Sequence, residues 1–149
     1  MKYSIVIPTR NRVGTAPFAV QTAVECIGSH KEVIVVDNGD SEELRDVLAD
    51  KGLLQNVTYV KTPTVLSMSV NWELGLSYTT GEYVAFMGDD DAITPYALCA
   101  MDEFIAKVDV DVVHCRTPTY NWPDLAFQGK RNAIYIDRDL SAVTLIKEP

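Results

Sequence analysis

The chain has 149 residues, about the length of one domain, with 47% hydrophobic and 23% charged side chains. That balance supports a packed core and excludes intrinsic disorder. Thirteen Lys+Arg against 21 Asp+Glu leave a formal charge of −8, which argues against unspecific binding to nucleic acid or anionic lipid, because both need a basic face; no run approaches the roughly 20 apolar residues of a membrane-spanning helix.

The first residues, Met1 to Pro8, carry one charged side chain and a short apolar run, and read as a strand rather than a signal peptide. Ser4-Ile5-Val6-Ile7 is that strand. Val20, Ala23, Val24 and Ile27 then stand at i, i+3, i+4 and i+7, the stripe of a helix that Gly28 ends. Glu32 to Asp37 forms a second Val/Ile-rich run. Ser41 is the expected cap of a second helix, with Glu42 and Glu43 in its first turn, Leu44, Val47 and Leu48 facing inward, and Gly52 closing it. Val57 to Val60 predicts a third strand, and Ser67 to Tyr78 a third helix. Glu82 to Met87 predicts a fourth strand, and Pro95 the start of a fourth helix whose inner face is Leu98, Met101 and Ile105. Val110 to Cys115 reads as a fifth strand. Runs apolar on successive residues suit strands buried on both faces, and their alternation with helices predicts an α/β fold. The expected architecture is an open, mostly parallel, Rossmann-like sheet with right-handed crossovers and helices on both faces.

Beyond Cys115 the pattern weakens. Thr117 to Pro123 reads as a loop, Leu125-Ala126-Phe127 and Ala133 to Ile136 as a hairpin, and 141–147 as a helical turn or two. Cys26, Cys99 and Cys115 are odd in number and lack CxxC spacing, as expected of buried thiols in a reducing cytoplasm. His30 and His114 stand apart from them, so no zinc site is expected.

Ligands of open parallel sheets bind outside the carboxyl ends of the strands. Three strand ends are polar here: Pro8-Thr9-Arg10-Asn11-Arg12, Asp37-Asn38-Gly39-Asp40 and Gly88-Asp89-Asp90-Asp91. Three adjacent carboxylates repel one another unless a cation or donors compensate. Mg²⁺ or Mn²⁺ does so with one or two carboxylates plus substrate phosphates; the alternative is a solvated acidic turn before the fourth helix. Asp37 reads either as part of an Asn-Gly turn or as a carboxylate accepting hydrogen bonds from a nucleotide's base or ribose. Thr9 and Arg12 read as a contact on the base side and a cation offsetting phosphate charge. No GxGxxG, GxxxxGK[ST] or Gly-x-Ser-x-Gly occurs, which disfavours a dinucleotide site, a P-loop and a serine hydrolase.

Ser4 to Arg12 and Glu32 to Asn38 resemble the opening of family 2 glycosyltransferases of the GT-A fold. Asn71-Trp72-Glu73-Leu74-Gly75-Leu76 and Gly81 to Met87 are similar to that family's approach to its acidic motif, and Asp89-Asp90-Asp91 to its DxD-type site. Pro95 and Leu98 fit the segment that follows. The resemblance implies a single domain over 1–149, in which 1–115 binds a nucleotide sugar and 116–149 is a partial acceptor-side tail. It implies that Pro8, Thr9, Arg12, Asp37, Asn71, Asp89 and Asp90 hold a UDP- or GDP-type donor, and that Asp90, with Asp91, ligates Mg²⁺ or Mn²⁺. Gly88 stands where many members have an acidic residue, so the DxD pair is either Asp89/Asp91 or Asp90/Asp91. The implied reaction is transfer of a sugar to a saccharide or lipid-linked acceptor hydroxyl with inversion. The resemblance implies a general base downstream in an acceptor-binding half, which with 58 residues after Asp91 (149 − 91) is expected to be truncated here. Of the late acidic residues Asp124, Asp137, Asp139 and Glu148, Asp124 is the best placed. A donor-binding module without transfer is the alternative. A receiver-like phosphoacceptor domain is disfavoured, because Pro8-Thr9-Arg10 replaces the acidic pair it needs. Apolar surface left bare beside strand four is expected to favour self-association.

Overall fold

The computed structural model describes residues 3–108, 110–115, 118–120 and 134–135. Four parallel strands, β1 (Tyr3–Thr9), β2 (Lys31–Asp37), β3 (Thr58–Lys61) and β4 (Tyr83–Phe86), form one sheet in the order β3-β2-β1-β4. The helices between them are α1 (Ala16–Glu25), α2 (Glu43–Asp50), a 3₁₀ turn (Leu54–Asn56) and α3 (Met68–Ser77); α4 (Ala97–Ile105) follows β4. The chain divides into two compact units, Met1–Asp109 and Val110–Pro149.

Strand order explains the layers. The chain steps outward from β1 to β2 to β3, then crosses back over the sheet to β4. Right-handed crossovers taken in opposite directions put their helices on opposite faces. One face of the sheet offers Ile5, Ile7, Val33 and Val35 to Val20 and Ala23 of α1, Leu44 and Leu48 of α2, and Leu98 of α4. The other offers Val6, Ile34 and Val36, with Leu74 of α3 packed against them. Successive strand residues therefore serve opposite cores, which is why β1 and most of β2 carry no polar alternation. The approach of α3 is close: a Cβ on Gly75 would stand 2.5 Å from Val6 Cγ1 and 3.1 Å from Val36 Cγ2, so only glycine fits there.

Most of the expected elements form, with local differences. Ser67 caps α3 by accepting from the Val70 N–H. Lys51, Gly52 and Leu53 close α2 in a Schellman turn: Leu53 N–H donates to Leu48 O at 2.9 Å, Gly52 N–H donates to Ala49 O at 2.9 Å, and Gly52 has φ +68°. Helix α1 ends at Glu25, three residues before Gly28. Cys26 turns out of the helix with ψ 129° and takes the core place expected for Ile27, which is 51% exposed. The expected strand Val110–Cys115 does not form; Val112 is 83% exposed, and Asp111 inside the run prevents burial on both faces. In the second unit, β5 (Thr119–Tyr120) pairs antiparallel with β6 (Ile134–Tyr135). The expected strand near 133–136 thus has Thr119–Tyr120 as its partner, and 125–127 lies outside the described residues. No helix among the described residues is long and apolar enough to cross a membrane.

At the amino ends of the strands, Asp102 of α4 joins the sheet by accepting from Tyr3 Oη at 2.8 Å and from Ser29 Oγ. Burial works to raise the Asp102 carboxyl pKa, but the hydrogen bonds from Ser29 and Tyr3 outweigh it and hold it below its usual range. This network fixes the floor opposite the polar rim.

Candidate functional site

The β1 and β2 exits are locked together. Thr9 is paired with Asp37 in the parallel register, and Asn38 N–H extends the ladder by donating to Thr9 O at 2.9 Å. Beyond it, Asn11, at φ 56°, donates from Nδ2 to Asp40 Oδ2 at 2.7 Å and accepts from Asp40 N–H at 2.9 Å. Pro8 and Thr9 are buried while Arg10 and Arg12 are exposed, so the rim changes within one residue from packed strand to solvated cations. No described residue pairs with the Arg12 guanidinium.

Asp37 is 2% exposed, and its carboxylate is held on both oxygens. Oδ1 accepts from Gly39 N–H at 2.8 Å; Oδ2 accepts from Tyr59 Oη at 2.6 Å and Lys61 Nζ at 3.0 Å. Lys61 Nζ also donates to Gly39 O at 2.8 Å and Ser41 O at 2.7 Å, so the ammonium stitches β3 to the loop after β2. Burial, and next the hydrogen bond to Asp37, push the Tyr59 phenol well above the ordinary tyrosine range. Asn38 clamps the neighbouring loop: Nδ2 donates to Leu66 O at 2.9 Å, and Oδ1 accepts from Leu66 N–H at 2.7 Å and Thr62 Oγ1 at 3.1 Å. Between these loops lies an open cleft of about 470 Å³, bordered by Gly39, Lys61 and Thr62 to Val65.

The acidic loop approaches β1 directly. Thr9 Oγ1 donates to Asp89 Oδ2 at 2.7 Å, across the point where the strand order reverses. Asp91 Oδ2 accepts from the Gly88 N–H at 3.2 Å. A Cβ on Gly88 would meet Asp91 Oδ2 at 2.7 Å and Asp90 Oδ1 at 3.1 Å. The two carboxylates therefore converge on a space that exists because residue 88 has no side chain. That donor set suits a hard divalent cation that completes its shell with phosphate oxygens and water. Among the described residues no three His, Cys, Asp or Glu side chains gather around one point, so the protein offers a pair of ligands rather than a closed cage. With Asp89 bonded to Thr9, the converging pair is Asp90/Asp91.

Asn71 lies one helical turn before Gly75, on the face of α3 toward the sheet. It is 4% exposed and its Oδ1 has no partner among the described residues. The structure thus brings Thr9 to Asp89 and Asp90 to Asp91, and sets Pro8 and Asp37 at adjacent strand ends. It leaves Arg12 and Asn71 without a bond to the others. Asp124 lies outside the described residues.

The family-wide sequence model of glycosyl transferase family 2 matches residues 4–146. The chain belongs to that family. Two curated relatives of this glycosyl transferase family 2 chain are uncharacterised glycosyltransferases. That of Haemophilus influenzae is 26% identical over 62% of this chain and 30% of its own length. That of Nostoc sp. is 27% identical over 74% of this chain and 34% of its own. The chain therefore spans about a third of the length of these relatives. Crystal structures of S. aureus TarS share its fold. TarS 1-349 in complex with UDP matches 72% of this chain and 32% of its own, at TM-score 0.63 and 24% identity. The complex with UDP-GlcNAc matches the same shares at TM-score 0.61 and 24% identity. The family 2 chain accordingly has the expected GT-A type sheet.

Tyr59, Lys61 and Asn38 are site-forming residues that the sequence reading did not single out. Tyr59 and Lys61 stand at i and i+2 on a four-residue strand, hence on one side of it. The alternation of Tyr59 and Lys61 with Val60 between them is the signal that points to them.

Proposed function

We propose that the chain is the donor-binding part of a family 2 glycosyltransferase that transfers a sugar from a UDP- or GDP-type nucleotide to an acceptor hydroxyl with inversion. The observation that carries this reading is the Thr9–Asp89 hydrogen bond at 2.7 Å with the Asp90 and Asp91 oxygens converging beside it. It joins the two strand ends that flank the switch point of a sheet shared with TarS, whose structures include complexes with UDP and UDP-GlcNAc. In this arrangement Pro8 and Thr9 lie on the nucleoside side, and Asp37, its carboxylate held by Gly39, Tyr59 and Lys61, supports the nucleoside-binding rim from within. Asn71, whose Oδ1 has no partner among the described residues, is buried on α3. Arg12, without a partner among the described residues, is available to offset phosphate charge in a chain of net charge −8.

Asp90 and Asp91 would hold Mg²⁺ or Mn²⁺, whose chemistry when bound is to neutralise charge growing on the leaving diphosphate. Thr9 contributes by holding Asp89 back toward β1, while Asp91 Oδ2 is held by the Gly88 N–H at 3.2 Å beside Asp90. An acceptor hydroxyl must lose its proton to a base, a role worth about 10²–10⁴-fold; Asp124 is our candidate for it. The second reading, a donor-binding module without transfer, draws on the chain's spanning about a third of its relatives' length. We place the protein in the cytoplasm, with a saccharide or lipid-linked acceptor.

Calorimetric titration of UDP and GDP with and without Mn²⁺ tests the donor site. Asp90→Asn should abolish the metal-dependent part of nucleotide binding while the circular dichroism spectrum is retained. Equal binding of both nucleotides in EDTA would remove the metal from the reading.

A further inference from the structure

Behind the acidic loop, a seam joins the end of α1 to the segment 93–99. Ile93 N–H donates to Thr22 Oγ1 at 3.2 Å, and Ile27 N–H donates to Pro95 O at 2.6 Å. Two thiols meet in this seam. Cys26 Sγ lies 3.5 Å from Thr94 O and 3.8 Å from Ile27 O; Cys99 Sγ lies 3.4 Å from the same Ile27 O. Both sulfurs therefore rest on one carbonyl oxygen, one at the exit of α1 and the other in the first turn of α4. Both are free thiols; Cys26 is buried and Cys99 is partly accessible. Neither thiol belongs to the donor site.

We propose that Cys26 and Cys99 are a peroxide-oxidisable dithiol pair whose disulfide clamps the end of α1 to the segment that follows Asp89–Asp91. The accessible sulfur reacts first: Cys99 thiolate attacks one oxygen of hydrogen peroxide, the O–O bond breaks, and Cys99 sulfenic acid and water form. The Cys26 thiolate then attacks the Cys99 sulfur, an S–S bond forms and the sulfenic oxygen leaves as a second water. Two thiols are oxidised and one peroxide is reduced to two waters. The rearrangement needed is local, because the sulfurs already share the Ile27 carbonyl and the backbone at Gly28 abuts Leu98 and Cys99. The clamp acts on the acidic loop because residues 93–95 are bonded to α1 and its exit at three points: Ile93 to Thr22, Thr94 to Cys26 and Pro95 to Ile27.

The test uses the whole chain carrying Cys115→Ser, so that the third thiol takes no part. After stoichiometric hydrogen peroxide, intact mass should fall by two hydrogens. A non-reducing digest should contain one peptide joining Cys26 to Cys99, and dithiothreitol should release it. Amide exchange across 88–95 should slow several-fold in the oxidised form and return on reduction. Cys99→Ser, at a partly exposed position, should abolish all three changes, and it keeps the proposal testable if Cys26→Ala does not fold. Oxygen addition on Cys99 with Cys26 still open to alkylation after unfolding would overturn the pair. So would a linked peptide that leaves exchange at 88–95 unchanged.

Discussion

Asp37 gives its carboxylate to its own chain: a buried acidic group with three donors is a fixed part of the rim. Removing one donor tests this directly. Tyr59→Phe should cost about 2 kcal/mol at neutral pH, the range for a hydrogen bond to a charged group. Because the Tyr59 phenol is held above its ordinary range in the folded state, its contribution is complete below the unfolded value near pH ~10 and is lost as pH rises toward the folded one. Denaturant unfolding at neutral pH and at about pH 11 should therefore show a steep alkaline loss in the parent chain and a shallower one in Tyr59→Phe. Tyr3, raised first by burial and then by its bond to Asp102, accounts for the remaining slope. These relations escape a sequence reading because Asp37 and Lys61 are 24 positions apart. What is legible locally is a turn, Asp37-Asn38-Gly39-Asp40, and a turn by itself does not show which oxygens are occupied.

Helix α3 and strand β4 meet the sheet on different terms. The inner face of α3 is made by Asn71 and Gly75, and a methyl at Gly75 has no room against Val6 and Val36. Gly75→Ala should destabilise the chain by about 1–3 kcal/mol, the cost of overpacking. That is opposite in sign to the gain in helix propensity, and the unfolding midpoint reads it. One flank of α3 is apolar too: Trp72 and Leu76, at i and i+4, are 39% and 47% exposed, and Val84 and Phe86 of β4 are 39% and 38% exposed. Trp72 stacks on Phe86 at 4.8 Å between ring centroids. Among the described residues β4 is an edge of the four-stranded sheet, and its residues Tyr83 to Phe86 carry no charge or proline to protect it. The chain is therefore expected to self-associate with rising concentration, and Val84→Lys should shift it toward monomer in sedimentation. An unchanged distribution in that variant would place the association elsewhere.

For the whole molecule, the expected outcome is donor binding with little or no transfer. The described residues build the polar rim that we propose binds a nucleotide and its diphosphate, and the chain spans about a third of the length of its curated relatives. An assay with one donor and one acceptor pool, run on this chain and on a version as long as those relatives, should give acceptor-dependent product only from the longer one. Slow donor hydrolysis is expected to persist in the short chain. Robust transfer by the 149-residue chain, lost in Asp124→Asn, would instead make Asp124 the base.

The sequence by itself determined the strand–helix alternation of the first unit, because burial on both faces leaves unbroken Val/Ile runs and helices leave a 3.6-residue stripe. It also determined which three strand ends are polar, and so where the rim lies. Only the tertiary structure decided that Asp89 bonds to Thr9 while Asp90 and Asp91 converge at Gly88, since three consecutive aspartates look alike until a partner 80 positions away selects one. It decided that Val110–Cys115 forms no strand, because a short apolar run becomes a strand only when a neighbour completes its hydrogen bonds. It brought Cys26 and Cys99 onto one carbonyl across the seam between α1 and α4. Local pattern is written in nearest neighbours along the chain; pairing across the fold is set by how close-packed layers bring distant positions together.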